Sequence, residues 1–176
     1  ELVWRYLDEN GKLEALVETE RLSLDGLRLK QRDKGIPTMS LESLRNSDLN
    51  LEFPGNKHRY LIGNIVYNHI DSSLIINNIH IIPLLDKVAF SNYYKSQQDR
   101  ISGMSREIKF SGFSILDTMG VHVHSRSMDL TFELEVYRNK RYPFTRKRTV
   151  LLPSEMFKRV GFLFDVDSVR LRDGFV

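Results

Sequence analysis

The densest chemistry in the chain is cationic: Arg138-Asn-Lys140-Arg141-Tyr142-Pro-Phe144-Thr-Arg146-Lys147-Arg148 holds six basic residues with two aromatic rings between them. Guanidinium and ammonium groups at this spacing can neutralise phosphates, while Tyr142 and Phe144 stack on bases or dip into a lipid interface. The same composition also makes a solvated hairpin loop pinned by Pro143, or a basic localisation signal. His122-Val-His124 is the only pair with metal-ligand spacing. On a strand both imidazoles project from one side, as in cupin-type sheets. A cupin set also needs a Glu a few residues on and a glycine beyond it. Asp129 stands near the first place and no glycine follows in 130–142, so two ligands do not close a site. Glu133, Glu135, Asp165 and Asp167 could do acid/base work in principle, but acid-x-acid is also what an outward strand face looks like. Gly103 and Gly112 are isolated and form no phosphate-cradling loop, and Ser154 lacks a nucleophile elbow and reads as a helix cap. No catalytic residue, cofactor or small-molecule substrate is inferred.

The elements that must carry these residues are mostly strands. Residues 2–7 and 12–17 flank Asp8-Glu9-Asn10-Gly11, a hairpin signal, with a helix over 12–22 as the rival reading. Alternation around Asp25-Gly26 predicts a second hairpin over 22–29. From 31 to 56 the chain is polar and predicted loop-rich, with a short helix over 41–46 capped by Ser40. Residues 59–69 and 73–82, rich in Ile, Val and Tyr, read as two strands, the second central to its sheet. The main helix is predicted within 86–98 on a stripe of Val88, Ala89, Phe90 and Tyr93. Strands at 106–116 and 119–125 follow. Leu130-Thr-Phe-Glu-Leu-Glu-Val-Tyr137 alternates strictly, which predicts buried Leu130, Phe132, Leu134 and Val136 against solvated Glu133 and Glu135. A strand at 149–152, a short helix over 155–159 and a strand at 161–166 complete the reading. The expected fold is a single α+β domain, mainly antiparallel sheet, with one main helix and one or two short ones. Its organisation is N-terminal hairpins over 2–30, a loop-rich stretch over 31–56 and a sheet-and-helix core over 57–176.

Composition bounds the class. The 176 residues, 41% hydrophobic and 28% charged, suit one globular domain. The absence of cysteine excludes disulfides, a thiolate nucleophile and a thiolate zinc site. No apolar run approaches the roughly 18 residues of a spanning helix. The first residue is Glu1, as expected of a fragment or a processed chain. The net charge is +3, and it is unevenly spread. Residues 138–176 hold ten Lys/Arg against four Asp/Glu, whereas residues 1–137 hold sixteen against nineteen. A basic C-terminal segment of this kind points to nucleic acid, an acidic membrane face or an acidic protein.

The last fifty residues run from the alternating strand 128–137 through a charged loop, a short helix over 154–159 and a strand at 161–165 to an apolar finish at 169–176. That order resembles the C-terminal part of rhabdovirus matrix proteins, and the Ile-, Asn- and Ser-rich texture is similar to plant negative-strand RNA virus proteins. The resemblance covers less than a third of the chain and rests on element order. It implies a non-enzymatic structural protein that self-associates as a homo-oligomer and contacts an acidic membrane surface or nucleoprotein. It also implies an intracellular, virion-associated setting, cytoplasmic or nuclear. On this reading Arg138, Lys140, Arg141, Tyr142, Phe144, Arg146, Lys147 and Arg148 meet the acidic partner. The alternatives are a nucleic-acid-binding viral movement or accessory protein, and a metal-dependent enzyme using His122 and His124.

Overall fold

The computed structural model describes residues 2–7, 11–30, 38–53, 55–118, 120–143 and 162–175. Twelve strands and one helix follow each other along them. They are β1 (Leu2–Leu7), β2 (Leu13–Thr19), β3 (Arg21–Asp25), β4 (Arg28–Lys30), β5 (Thr38–Ser40), β6 (Ser43–Glu52), β7 (His58–Asn68) and β8 (Ser73–Pro83), then α1 (Lys87–Tyr94), then β9 (Asp99–Ser111), β10 (Ser114–Thr118), β11 (Gly120–Arg138) and β12 (Phe162–Phe175). Ten strands form one open sheet in the order β1-β2-β6-β7-β8-β9-β11-β10, with β3 also on β6 and β12 also on β11. Two long edges are shared end to end. β2 and β3 occupy successive stretches of β6, at Asn50–Glu52 and Ser43–Ser47. β9 and β10 occupy successive stretches of β11, at Ser127–Arg138 and Gly120–His124.

The fold is thus mostly antiparallel sheet with a single helix among the described residues, less helical than the α+β expectation. The pairing is not all antiparallel, because β12 runs parallel to β11 from Val121↔Phe162 onward. The β1–β2 hairpin forms as expected, the strands read at 59–69 and 73–82 are β7 and β8, an antiparallel pair, and β8 is interior to the sheet. Several expectations fail for tertiary reasons. The 22–29 hairpin does not form: Gly26 takes a positive φ of 65°, but β3 pairs with β6 and β4 with β5. The loop-rich stretch with a helix over 41–46 is instead β5 and the ten-residue interior strand β6, held by β7 on one side and by β2 and β3 on the other. Its polar residues mislead a local reading because their hydrogen bonds are made across the sheet. Asn46 donates to Thr19 Oγ1 at 2.9 Å, and that buried hydroxyl donates to the Ser47 carbonyl at 2.6 Å. The strands expected at 106–116 and 119–125 fall within β9, β10 and the first third of β11, with a break at Gly112–Phe113. The elements expected at 149–152 and 155–159 lie outside the described residues.

Two irregularities shape the sheet. A crease crosses β6, β7 and β8 where Asp48 and Asn78 take positive φ on either side of Gly63. Asp and Asn tolerate that conformation better than other side chains. A Cβ on Gly63 would lie 2.9 Å from the Asn78 Cβ, so a larger residue forces the strands apart. In β9 the pairing with β11 slips by one residue between Leu130 and Glu133, and Ser105 fills the gap by donating to the Thr131 carbonyl. Beyond the crease sits the core: buried Tyr67, Phe110, Phe113 and Val123, flanked by Leu44, Leu74, Ile76, Ile108 and Met128. On β11 the alternation holds for the exposed Glu133 and Glu135 and for half-buried Leu130, Phe132 and Leu134. It fails for Val136, which is 48% exposed although α1 approaches the neighbouring Glu135 and Tyr137 through Lys87. Phe110→Ala should lower unfolding free energy by about 3–5 kcal/mol, as expected for a buried phenylalanine. Val136→Ala should stay within about 0.5 kcal/mol. Urea denaturation of both variants measures the contrast.

Candidate functional site

The basic segment begins where β11 ends, and its first residues are fastened to the neighbourhood of α1. The helix is only eight residues long, too short to persist alone in water, so caps and docking must hold it. Asp86 caps it, its carboxylate accepting from the Val88 and Ala89 N–H groups at 2.8 Å each. Lys95 closes it in the left-handed region, its N–H bonded to the Ser91 carbonyl. The buried side is Phe90, 2% exposed, with Ser91 and the half-buried Tyr94. The predicted stripe is therefore shifted: Val88 and Tyr93 are 67% and 53% exposed and face outward.

His58 anchors this end. Its ring meets Phe90 with centroids 5.4 Å apart. Nε2 accepts the Ile101 N–H at 3.0 Å, which leaves the proton on Nδ1 to be donated to Asn56 Oδ1 at 2.8 Å. Burial, and after it the nearby Arg100 guanidinium, push His58 below its ordinary value of 6.5. A protonated ring would also lose the Ile101 bond.

Five contacts position the segment after β11. Arg138 grips Asp99 through two bonds of 2.6 and 2.5 Å, and that carboxylate raises the guanidinium above its usual range. The Arg141 N–H donates to Asn139 Oδ1, closing a tight turn. The Tyr142 hydroxyl donates to Asn92 Oδ1 on α1 at 2.6 Å. Gln97 reaches the same strap twice, its side chain to the Tyr142 carbonyl at 2.9 Å and its backbone N–H to the Pro143 carbonyl at 3.0 Å. Between α1 and this strap runs an open groove of about 570 Å³ lined by Val88, Asn92, Tyr137, Asn139, Arg141 and Tyr142. Lys140 and Arg141 are exposed, with no carboxylate in ion-pair contact among the described residues. Of the predicted contact residues, Arg138 is tied to Asp99, Arg141 and Tyr142 line the groove beside α1, and Lys140 is exposed in the same turn. Phe144, Arg146, Lys147 and Arg148 lie outside the described residues. Asn92, Asn139, Val88 and Tyr137 were not legible as site residues, although the turn-forming Asn139 after an alternating strand was a usable signal.

The acid/base and metal readings find little here. Glu133 and Glu135 line a shallow groove of about 430 Å³ with His80, Ser102 and Met104. Lys87 bonds Glu135 at 2.6 Å and holds its carboxyl below the usual range, the opposite of what a general acid at neutral pH requires. Lys87 also lies over the Tyr137 ring at 5.4 Å. His122 and His124 occupy alternate positions of β11, opposite Leu116 and Ser114 on one side and Leu163 and Asp165 on the other. His124 Nε2 lies 3.7 Å from Asp167. No group of three His, Asp or Glu residues spaced to hold a metal occurs among the described residues. Nor is any helix among them long and apolar enough to cross a membrane. No family model, curated protein or solved structure matches this chain.

The His58 geometry yields a pH signature. Folded His58 takes up a proton less readily than unfolded His58, so its contribution is whole above pH 6.5 and is lost as the pH falls below that value toward the folded one. The thermal midpoint should therefore fall more steeply between pH 7.5 and pH 5 in the wild type than in His58→Gln, as measured by circular dichroism melts.

Proposed function

We propose that this chain is a non-catalytic binding and assembly module that engages a polyanionic partner through the strap following β11. The observation that carries the reading is the state of its cations. Arg138 is spent on Asp99, and Lys87 and Arg100 on Glu135, whereas Lys140 and Arg141 project from a segment hydrogen-bonded to α1 and Gln97, with no carboxylate in ion-pair contact among the described residues. A pre-positioned pair of cations loses less side-chain entropy on binding than two on a floppy loop. The partner class comprises nucleic acid or nucleoprotein and acidic lipid, in line with the matrix-type resemblance.

Lys140→Ala combined with Arg141→Ala should lower the salt dependence of single-stranded RNA binding by about 0.7 per lost phosphate contact. On anionic vesicles the same pair should cost about 1 kcal/mol per residue. Arg138→Ala should leave both slopes nearly unchanged. Unaltered affinity of the double variant for both partners refutes the assignment.

A self-associating role is supported by the edges of the sheet. β1 leaves one edge unpaired among the described residues and exposes Leu2, Val3, Trp4 and Leu7 with Arg5 as its one cation. The opposite edge, β12, is interrupted by Asp165, Asp167, Arg170 and Arg172, the charges that commonly guard an edge strand. Sedimentation velocity should reveal concentration-dependent dimers through β1 that Val3→Lys disperses. A strictly monomeric wild type at high concentration would remove this part of the proposal.

A further inference from the structure

The groove between α1 and the strap offers more than charge. Val88 and Asn92 stand one turn apart on the helix, and Tyr137, Asn139, Arg141 and Tyr142 form the facing wall. Its apolar surfaces are the exposed Val88 and two tyrosine rings, and Tyr142 is held in orientation by its hydroxyl bond to Asn92. A flat ring could lie against such walls.

The polar groups of the groove are biased to one hydrogen-bonding sense. Asn139 Oδ1 already accepts from a backbone N–H, which fixes that amide and leaves both hydrogens of its Nδ2 unspent within the described structure. Asn92 Oδ1 already accepts the Tyr142 hydroxyl, which turns its Nδ2 outward as a donor. Arg141 adds a guanidinium, which can only donate, and no carboxylate lines the groove among the described residues. A ligand matched to it therefore has a planar ring, an edge rich in acceptors and an anion nearby.

We infer that this groove holds an unpaired, oxo-bearing nucleobase of a single-stranded nucleic acid, uracil or guanine, with Arg141 on the adjoining phosphate. The inference rests on the polyanion reading and narrows it. Lipid headgroups share the anion but lack the flat acceptor-bearing ring, so they leave the two amides and the tyrosine wall unused. Adenine presents an exocyclic amine donor where uracil presents an oxygen, and a donor-lined groove disfavours it.

The test compares fluorescein-labelled oligouridylate and oligoadenylate of about twelve nucleotides by fluorescence anisotropy, with phosphatidylserine vesicles as a third probe. Oligouridylate should bind about tenfold more tightly than oligoadenylate, a difference of about 1.4 kcal/mol. Asn139→Asp keeps the Oδ1 acceptor for the Arg141 N–H but removes both side-chain donors. It should erase the uridine-over-adenosine ratio, the readout that an added negative charge alone does not move. Lys140→Ala lies outside the groove and should weaken both oligonucleotides alike, leaving the ratio intact. Equal affinity for the two oligonucleotides, or a ratio that survives Asn139→Asp with an unchanged thermal midpoint, overturns the base site and leaves the polyanion reading standing. Binding to vesicles alone likewise overturns it. Binding to none of the three probes removes both readings.

Discussion

Gly112 turns β9 into β10 with a φ of 64°, and a Cβ at this position would sit 2.9 Å from the Cβ of Arg126 on β11. Because the chain bends there without leaving its neighbour, one strand, β11, can pair with β9 along one half and β10 along the other. Two backbone groups at the bend make bonds outside the strand ladder. The Ser111 carbonyl accepts from the hydroxyl of Ser125, a residue with no exposed surface, and the Phe113 N–H donates to the Ser72 carbonyl at 2.7 Å. With those groups satisfied, Phe113 packs on Tyr67 and Phe110 at centroid distances of 5.6 and 6.0 Å. That cluster is the deepest apolar packing among the described residues. A sheet with so few buried side chains depends on it for a unique register, since a slip of one residue would carry the aromatic rings to the opposite face.

The other end of the sheet is held by different means, and the candidate site is found there. Below the crease at Asp48, Gly63 and Asn78, the packing centres on His58 and Phe90 instead of an aromatic cluster. His58 links three segments at once: its own strand, the Asn56 turn and the backbone of β9. Through Phe90 it seats α1, and through Asn92 the helix seats Tyr142 and with it the strap. Gln97 and Asp99, in the connection from α1 into β9, take the remaining contacts. The exposed pair Lys140 and Arg141 is thus presented by a chain of short-range bonds that leads back to a buried imidazole. A sheet edge or a mobile loop would have presented the same charges with less definition.

Charge pairing separates the cations that hold the fold from those left to act outward. Arg28 meets Glu42, Arg59 meets Glu52, Arg138 meets Asp99 and Arg172 meets Asp129, all across strands or turns. Exposed pairs like these contribute little stability, but they lower the free charge of the surface around them. The net positive charge of residues 138–176 is therefore concentrated on fewer groups than its composition suggests, and among the described residues Lys140 and Arg141 are two of them.

The sequence by itself determined the local periodicities. Alternation identified the strand around 130–137, β-branched and aromatic richness those around 59–69 and 73–82, Asn10-Gly11 the first hairpin, and an apolar stripe the helix within 86–98. These features are local: strand alternation and caps depend on residues within a turn or two of one another. It also marked the basic segment, on which the proposed contact with an acidic partner rests. Tertiary structure decided what those local signals could not reach. It made β6 from a polar stretch because Asn46 and Thr19, 27 residues apart, satisfy each other. It divided β3 from β4 by giving each a different partner, set β12 parallel to β11, and buried Phe90 of the predicted stripe while leaving Val88 and Tyr93 exposed. Which cations remain unpaired was equally beyond the sequence, since Arg138 and Asp99 stand 39 positions apart and meet only because β9 and β11 are in register. Hydrogen bonds and ion pairs of that span are fixed by strand pairing, and pairing is a property of the whole sheet.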